Sequence, residues 1–100
     1  MNKKIKAVVY NLAKGVITKK EVAAISSVNK EGPFDVLPQH ANFISIIKNE
    51  LILYPTLNSP EKIPLKLGIF KFIKNEAKIY LSVEQTVPKT TSKTSQPENQ

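Results

Sequence analysis

The sequence lacks several residue types on which catalytic and metal sites depend. It has no cysteine and no tryptophan, and it has a single histidine and three glycines among 100 residues. Without cysteine there is no disulfide and no thiolate metal site, and one imidazole cannot build a multi-histidine zinc site. The glycines are isolated, so they form no glycine-rich phosphate loop. We therefore expect neither a metal nor a cofactor.

Long hydrophobic runs are also missing. No stretch approaches the roughly 20 apolar residues of a membrane-spanning helix. The N-terminal segment MNKKIKAVVYNLAKG starts with basic residues, but Asn11 and Lys14 interrupt its apolar part and no small-residue cleavage site follows. It is not predicted to be a signal peptide, and we expect a cytoplasmic location.

Arginine is absent as well, although the chain is basic. All fifteen basic residues are lysines, and with eight acidic residues the formal net charge is +7. Lysine is a strongly hydrated point charge, whereas base edges and phosphates are recognised best by the planar fork of arginine. The lysines are also dispersed along the chain. Nucleic-acid binding is therefore not expected.

What the sequence does contain is a clear alternation of apolar and polar residues. One face of AKIYLSVE carries Ala77, Ile79, Leu81 and Val83, and one face of KIPLKLG carries Ile63, Leu65 and Leu67. A period of two is typical of strands with one buried and one wetted face. After Gly68 the bulky residues are Phe70 and Phe72, so the phase changes, which predicts a β-bulge at this glycine.

The predicted fold class is all-β: a β-sandwich of about ten short strands. No segment has an apolar stripe of helical length, and the β-branched flanks of ITKKEVAAISSV favour strand there too. Strands are predicted at 4–12, 16–19, 22–29, 34–37, 43–47, 50–54, 62–67, 69–73 and 77–84, with a hairpin turn at 74–77. The sandwich domain spans 1–84. Residues 85–100 are rich in Ser, Thr and Pro and are predicted to be a disordered polar tail.

The only histidine lies in GPFDVLPQHANFISII, residues 32–47. His40 has no cysteine or glycine-flanked serine near it, and Ser45 falls in a predicted strand rather than in a strained turn. A Glu–His–Asp site with Glu31 and Asp35 is conceivable. The favoured interpretation is a turn histidine that hydrogen-bonds locally or contacts a partner, so no enzymatic activity and no small-molecule substrate are expected.

This same stretch resembles the signature of the N-terminal domain of the epsilon subunit of rotary ATP synthases. The signature reads Gly, a variable residue, a hydrophobic residue, Gly-Ile-Leu-Pro, a variable residue and His-Ala, followed by a strand. The matching residues are Gly32, Phe34, Val36, Leu37, Pro38, His40 and Ala41. LGIFKFIKNEAKIYLSVE resembles the hairpin and closing strand of the same family. The resemblance covers 4–84, and the block 32–41 is its specific part.

The sequence departs from the family pattern at several positions. Asp35 replaces a usual glycine, Asn42 a common proline, Leu67 a second glycine, and Pro33 an acidic residue that in the family faces the membrane ring. Aspartate tolerates a left-handed backbone, so we expect the turn to be retained. The family's C-terminal helical pair, which restrains ATP hydrolysis, has no counterpart in this sequence.

The resemblance implies a structural role without the regulatory one. It implies a non-catalytic central-stalk (rotor) subunit of an F-type ATP synthase or ATPase, peripheral on the cytoplasmic side of the bacterial cell membrane. Its partners would be a gamma-type subunit, the ring of c subunits or its replacement, and the alpha/beta head. The residues implied to face gamma are Gln39, His40, Asn42 and Ser45, and those implied to face the ring are Lys30, Glu31, Gly32 and Pro33. In contrast, Phe34, Leu37, Ile44 and Ile46 are predicted to be core.

Two alternatives stay open. An epsilon-like subunit of a specialised rotary ATPase without an ordinary proton ring would explain Pro33 and the lack of the helical pair. A free-standing lysine-rich β-sandwich that binds an anionic polymer would explain the net charge.

Overall fold

A computed structural model describes residues 3–82, which form seven β-strands in a single sheet and contain no helix. The strands are β1 (Ile5–Asn11), β2 (Val16–Val22), β3 (Ala24–Asn29), β4 (Gly32–Val36), β5 (Phe43–Tyr54), β6 (Glu61–Ile73) and β7 (Glu76–Leu81). Their order across the sheet is β2-β1-β7-β6-β5-β3-β4. The pair β1–β7 is parallel and the other pairs are antiparallel. The all-β prediction is confirmed; the predicted tail, 85–100, lies outside the described residues.

The two long strands, β5 and β6, divide this sheet into two layers. β7 pairs with β6 only over residues 68–73, and β3 pairs with β5 only over residues 48–54. The first half of β5 and the second half of β6 therefore lie with β2, β1 and β7 in the larger layer. The second half of β5 and the first half of β6 lie with β3 and β4 in the smaller layer. The predicted count of about ten short strands is corrected to seven, because 43–47 and 50–54 are halves of β5, and 62–67 and 69–73 are halves of β6.

Contacts between distant strands show that the layers face each other. The ring centroids of Phe34 on β4 and Phe70 on β6 are 5.9 Å apart. These strands are three positions apart, so in a flat sheet roughly 14 Å would separate them. At the opposite edge of the sheet, Lys20 of β2 forms an ion pair with Glu61 of β6, with 2.6 Å between Nζ and Oε1. The sheet therefore folds back on itself and makes a sandwich.

An irregularity in β6 produces its change of phase. Lys66 and Leu67 lie opposite the single residue Lys48 of β5, so the extra residue precedes Gly68 directly. Leu67 is consequently 50% exposed, and its predicted inward orientation was wrong. A Cβ added to Gly68 would lie 2.9 Å from the carbonyl oxygen of Tyr80. Glycine is thus required because β7 approaches the backbone closely here.

A second irregularity lets β5 change layers. The pairing with β3 runs from Ser27–Leu51 directly to Val28–Lys48, so two residues of β5 have no counterpart on β3. One of them, Asn49, has a left-handed backbone with φ of 73°. The hydroxyl of Ser27, which is buried, donates a hydrogen bond of 2.7 Å to the carbonyl oxygen of Glu50. The bend therefore leaves this buried polar group satisfied.

One hydrophobic core fills the space between the layers. Its largest fully buried side chains are Phe70, Phe72, Ile5, Ile25, Ile47, Leu51, Leu53, Ile79, Val22 and Val36. The predicted inward orientation of Ala77, Ile79 and Leu81 on β7 is confirmed by their burial, and the fourth residue of that predicted face, Val83, lies outside the described residues. Within the described range, no helix is long and apolar enough to cross a membrane.

Candidate partner-binding surfaces

The neighbourhood of His40 holds aromatic rings and backbone rather than carboxylates. Its Nδ1 lies 2.7 Å from the carbonyl oxygen of the next residue, and its ring packs edge-on against Phe43 and Phe72, with centroid distances of 5.1 and 5.9 Å. Asp35 instead accepts a hydrogen bond of 2.5 Å from Ser26 Oγ. The Glu–His–Asp arrangement considered from the sequence is not formed. Among residues 3–82, no three His, Asp or Glu side chains lie together in a way that could hold a metal ion.

Three of the four residues implied to face gamma lie together at one end of the sandwich: Gln39, His40 and Asn42. The loop that carries them is tied to the hairpin between β6 and β7. The backbone N–H of Gln39 donates to Asn75 Oδ1 (2.8 Å), and the N–H of Lys74 donates to Asn42 Oδ1 (2.9 Å).

Lys74 and Asn75 have φ of 50° and 65°, as a two-residue type I′ turn requires, so the predicted hairpin is confirmed. In the loop itself the left-handed residue is Gln39, with φ of 71°, whereas Asp35 is extended within β4.

The fourth residue, Ser45, lies in a different place. It is on β5, and its hydroxyl accepts a hydrogen bond of 3.2 Å from Asn29 Nδ2, at the turn between β3 and β4. An open cleft of about 680 Å³ lies here, lined by Asn29, Lys30, Glu31, Phe43, Ile44, Ser45, Ile46, Lys48 and Leu67. The structure therefore groups Ser45 with two of the residues implied to face the ring. The other two, Gly32 and Pro33, begin β4 and pair with Asn29 and Val28.

The outer face of the larger layer exposes apolar residues that were predicted to be core. Ile44 and Ile46 are 66% and 64% exposed on this face, and Leu37, in the loop after β4, is 58% exposed, so these three predictions were wrong. Phe34 does pack against the core, as predicted. In the first half of β5, the inward positions are Phe43, Ser45 and Ile47, and the isoleucines between them face outward. The sequence signal that could have revealed this is the alternation itself, with Ser45 as the small inward residue.

The strand pairings align the outward residues into a continuous apolar row across five strands. Ile46 pairs with Ile69, Ile69 with Tyr80, Tyr80 with Tyr10, and Tyr10 with Ile17. We refer to Ile46, Ile69, Tyr80, Tyr10 and Ile17 as the apolar row. The rings of Tyr10 and Tyr80 stack with centroids 4.6 Å apart and planes inclined by 6°. Leu12 and Leu67, both exposed, extend this surface on one side, around a hollow of about 210 Å³.

An exposed apolar surface of this kind is typical of a protein interface. Single exposed hydrophobic residues are ordinary, but a contiguous patch on a sheet face marks an interaction site. The stacked tyrosines fit this function, because tyrosine is enriched where one part of a side chain is covered and the rest meets polar groups.

Comparison with known proteins yields structural likeness only. No protein-family model matches the sequence, and no curated protein sequence matches it. Among solved structures, a chain in the cryo-EM structure of the Euglena gracilis mitochondrial ATP synthase (OSCP/F1/c-ring, rotational state 1) is similar with a TM-score of 0.70 and 16% identity. A chain in the cryo-EM structure of the Tetrahymena thermophila mitochondrial ATP synthase central stalk and c-ring is similar with a TM-score of 0.65 and 12% identity.

These likenesses cover most of this chain and a smaller share of the others. They cover 78% of this chain and 50% of the Euglena chain, and 80% of this chain and 64% of the Tetrahymena chain. The chain therefore matches about half to two thirds of the length of these neighbours. At such low identity the likeness establishes a shared fold, which is one that occurs in chains of ATP synthase assemblies.

Proposed function

We propose that this chain is a non-catalytic, epsilon-type central-stalk subunit of a rotary F-type ATP synthase or ATPase. It braces a gamma-type subunit and links it to the membrane ring, on the cytoplasmic side of the bacterial membrane, below the alpha/beta head. The observation that carries the proposal is the agreement of two independent likenesses. The signature residues at 32–41 resemble the epsilon family, and the fold resembles chains of ATP synthase assemblies.

The structure of the chain suits a mechanical function. A rotor element must transmit torque without deforming, and a close-packed sandwich core resists deformation. The apolar row offers a flat area against which a gamma-type subunit can pack. At one end of the sandwich, hydrogen bonds of Gln39 and Asn42 with the β6–β7 hairpin hold the loop that also carries His40, so a partner would meet a loop that is already ordered.

A specialised rotary ATPase without an ordinary proton ring is a second candidate. Pro33 is exposed on the edge strand β4, beside the turn that contains Lys30 and Glu31. A proline there removes the acidic residue with which the family contacts the ring, and it also removes a backbone N–H donor. This end of the sandwich would then meet a different membrane component.

Affinity purification from native membranes tests the proposal. A tagged full-length chain, extracted in mild detergent, is expected to bring down gamma-type, alpha and beta subunits in near-constant ratios. The rotor proposal requires this result because all these subunits form one assembly. Quantitative mass spectrometry of the eluate provides the measurement, and an untagged strain is the control.

The c subunits separate the two candidates. Their presence in the same eluate supports the ordinary synthase, and their absence with gamma, alpha and beta present supports the specialised ATPase. Loss of all these subunits, together with nucleic-acid binding that survives moderate salt, would contradict both candidates. Non-specific lysine–phosphate contacts weaken steeply as salt is added, so binding that survives would indicate a dedicated nucleic-acid site.

A further inference from the structure

A row of lysines runs beside the apolar row on the same outer face. Lys71 of β6 pairs directly with Lys78 of β7, which in turn pairs with Val8 of β1, and Val8 pairs with Lys19 of β2. We refer to Lys71, Lys78 and Lys19 as the lysine row. Successive outward positions on a strand are about 7 Å apart, so the two rows are neighbours on the face. Val8 is 4% exposed although it faces outward, since the aliphatic stems of lysines can cover a neighbouring residue.

The lysine row forms no ion pair within the described chain. Like charges directly opposite each other on adjacent strands destabilise a sheet. Within residues 3–82, the single ion pair joins Lys20 to Glu61, so neither Lys71 nor Lys78 is ion-paired to a carboxylate. These two lysines line a hollow of about 220 Å³ together with Ile73, Lys74 and Glu76, so three lysines and one glutamate share this part of the surface. The folded chain therefore places two lysines directly opposite each other in an area with more basic than acidic side chains.

We propose that the lysine row is the charged half of a partner-binding face, and that its partner is an acidic segment of another protein. That segment places apolar side chains on the apolar row and carboxylates on the lysine row. The inference rests on the proposed function only for the identity of the partner, which would be the gamma-type subunit. Its carboxylates would remove the repulsion between Lys71 and Lys78, so each contact would favour the bound state over the free chain.

The distribution of charge favours a protein segment over a lipid surface. The lysine row lies on one side of the apolar row, and Leu12, Leu67 and the single lysine Lys48 lie on its other side. On the far side of the lysine row, Lys6 lies opposite Glu76 of β7 and Glu21 of β2 in the strand register. Two carboxylates therefore border the lysine row. A narrow acidic edge of a protein can avoid those carboxylates, whereas an extended anionic membrane would be repelled by them.

Charge reversal at Lys71 separates binding from folding. Lys71→Glu is expected to raise the melting temperature of the isolated full-length chain, because it turns a Lys–Lys pair into a Glu–Lys pair. The same change is expected to weaken binding to the purified gamma-type subunit at least tenfold and to reduce the dependence of binding on salt. Lys62→Glu is the matched control, since Lys62 is exposed on the same strand in the other layer. It should alter the dissociation constant less than twofold.

Zero-length carbodiimide cross-linking of the purified assembly locates the contact directly. Cross-links from Lys71 or Lys78 to Asp or Glu residues of the gamma-type subunit would support the inference. If gamma-type subunit co-purifies but these cross-links are absent, and Lys71→Glu binds as well as Lys62→Glu, the inference is wrong while the proposed function stands. If no gamma-type subunit co-purifies, the proposed function fails. Cross-links from Lys71 to carboxylates of whichever protein does co-purify would then still support the acidic-segment contact, and their absence would overturn it.

Vesicle sedimentation tests the lipid alternative. Vesicles of phosphatidylcholine with phosphatidylglycerol serve as the probe, and the full-length chain is expected to sediment no more with them than with phosphatidylcholine alone. Sedimentation that requires phosphatidylglycerol and is lost in Lys71→Glu, but not in Lys62→Glu, would assign the lysine row to a membrane surface and overturn the inference.

Discussion

Replacing Phe70 with alanine is expected to lower the free energy of unfolding by about 3–5 kcal/mol. Phe70 is fully buried, and its ring lies 5.9 Å from that of Phe34 and 5.2 Å from that of Phe43. The substitution removes contacts within its own layer and across to the other layer, and it leaves a cavity where the layers meet. Small domains are stable by only about 5–15 kcal/mol, so most of this chain's stability would be lost. Urea titration followed by circular dichroism measures the change.

The adjacent residue provides the control. Ile69 is on the same strand but faces outward and is 48% exposed, so Ile69→Ala should cost less than about 1 kcal/mol. An equal loss for the two variants, or a Phe70→Ala chain as stable as the unsubstituted one, would show that the phase of β6 after Gly68 is wrong.

Replacing Ile69 with aspartate is expected to have the largest effect on assembly. Ile69 lies in the middle of the apolar row, paired with Ile46 and Tyr80. A carboxylate at that position would be buried in an apolar contact when the gamma-type subunit binds. Truncating or charging a central interface residue costs about 2 kcal/mol or more, which weakens binding roughly 30-fold. Surface plasmon resonance with immobilised gamma-type subunit gives the dissociation constants.

The matched control makes the same kind of change elsewhere. Leu57 is 67% exposed in the loop between β5 and β6, away from the outer face, so Leu57→Asp should bind like the unsubstituted chain. If Ile69→Asp folds and binds with unchanged affinity, the apolar row is not the gamma-facing surface. Far-ultraviolet circular dichroism of both variants establishes that they fold.

Alternation in the sequence was sufficient to predict the fold class and much of the core. The inward faces of β6 and β7 follow from Phe70, Phe72, Ala77 and Ile79, because a period of two fixes which side chains share a face. The hairpin at Lys74 and Asn75 was also predictable from local turn chemistry. What alternation could not supply was the continuity of β5 and β6, since a bulge and the end of a strand both interrupt the pattern in the same way.

The candidate surfaces were less predictable for a related reason. Ile44 and Ile46 are β-branched and apolar, and hydrophobicity alone placed them in the core. The register with β6 confirms that they face outward, since it sets Ile46 opposite Ile69 and Ile44 opposite Lys71. The lysine row depends on strand pairing too. Lys71, Lys78 and Lys19 are far apart in sequence, and only the strand order brings them together.

Cryo-EM of the assembly purified through this chain, sorted into rotational states, tests the rotor proposal most directly. We expect the chain to keep one fixed orientation relative to the gamma-type subunit in every state, with its outer face covered by that subunit. A chain that stays fixed to the alpha/beta head while gamma turns, or whose outer face is open to solvent in the intact assembly, would contradict the proposal.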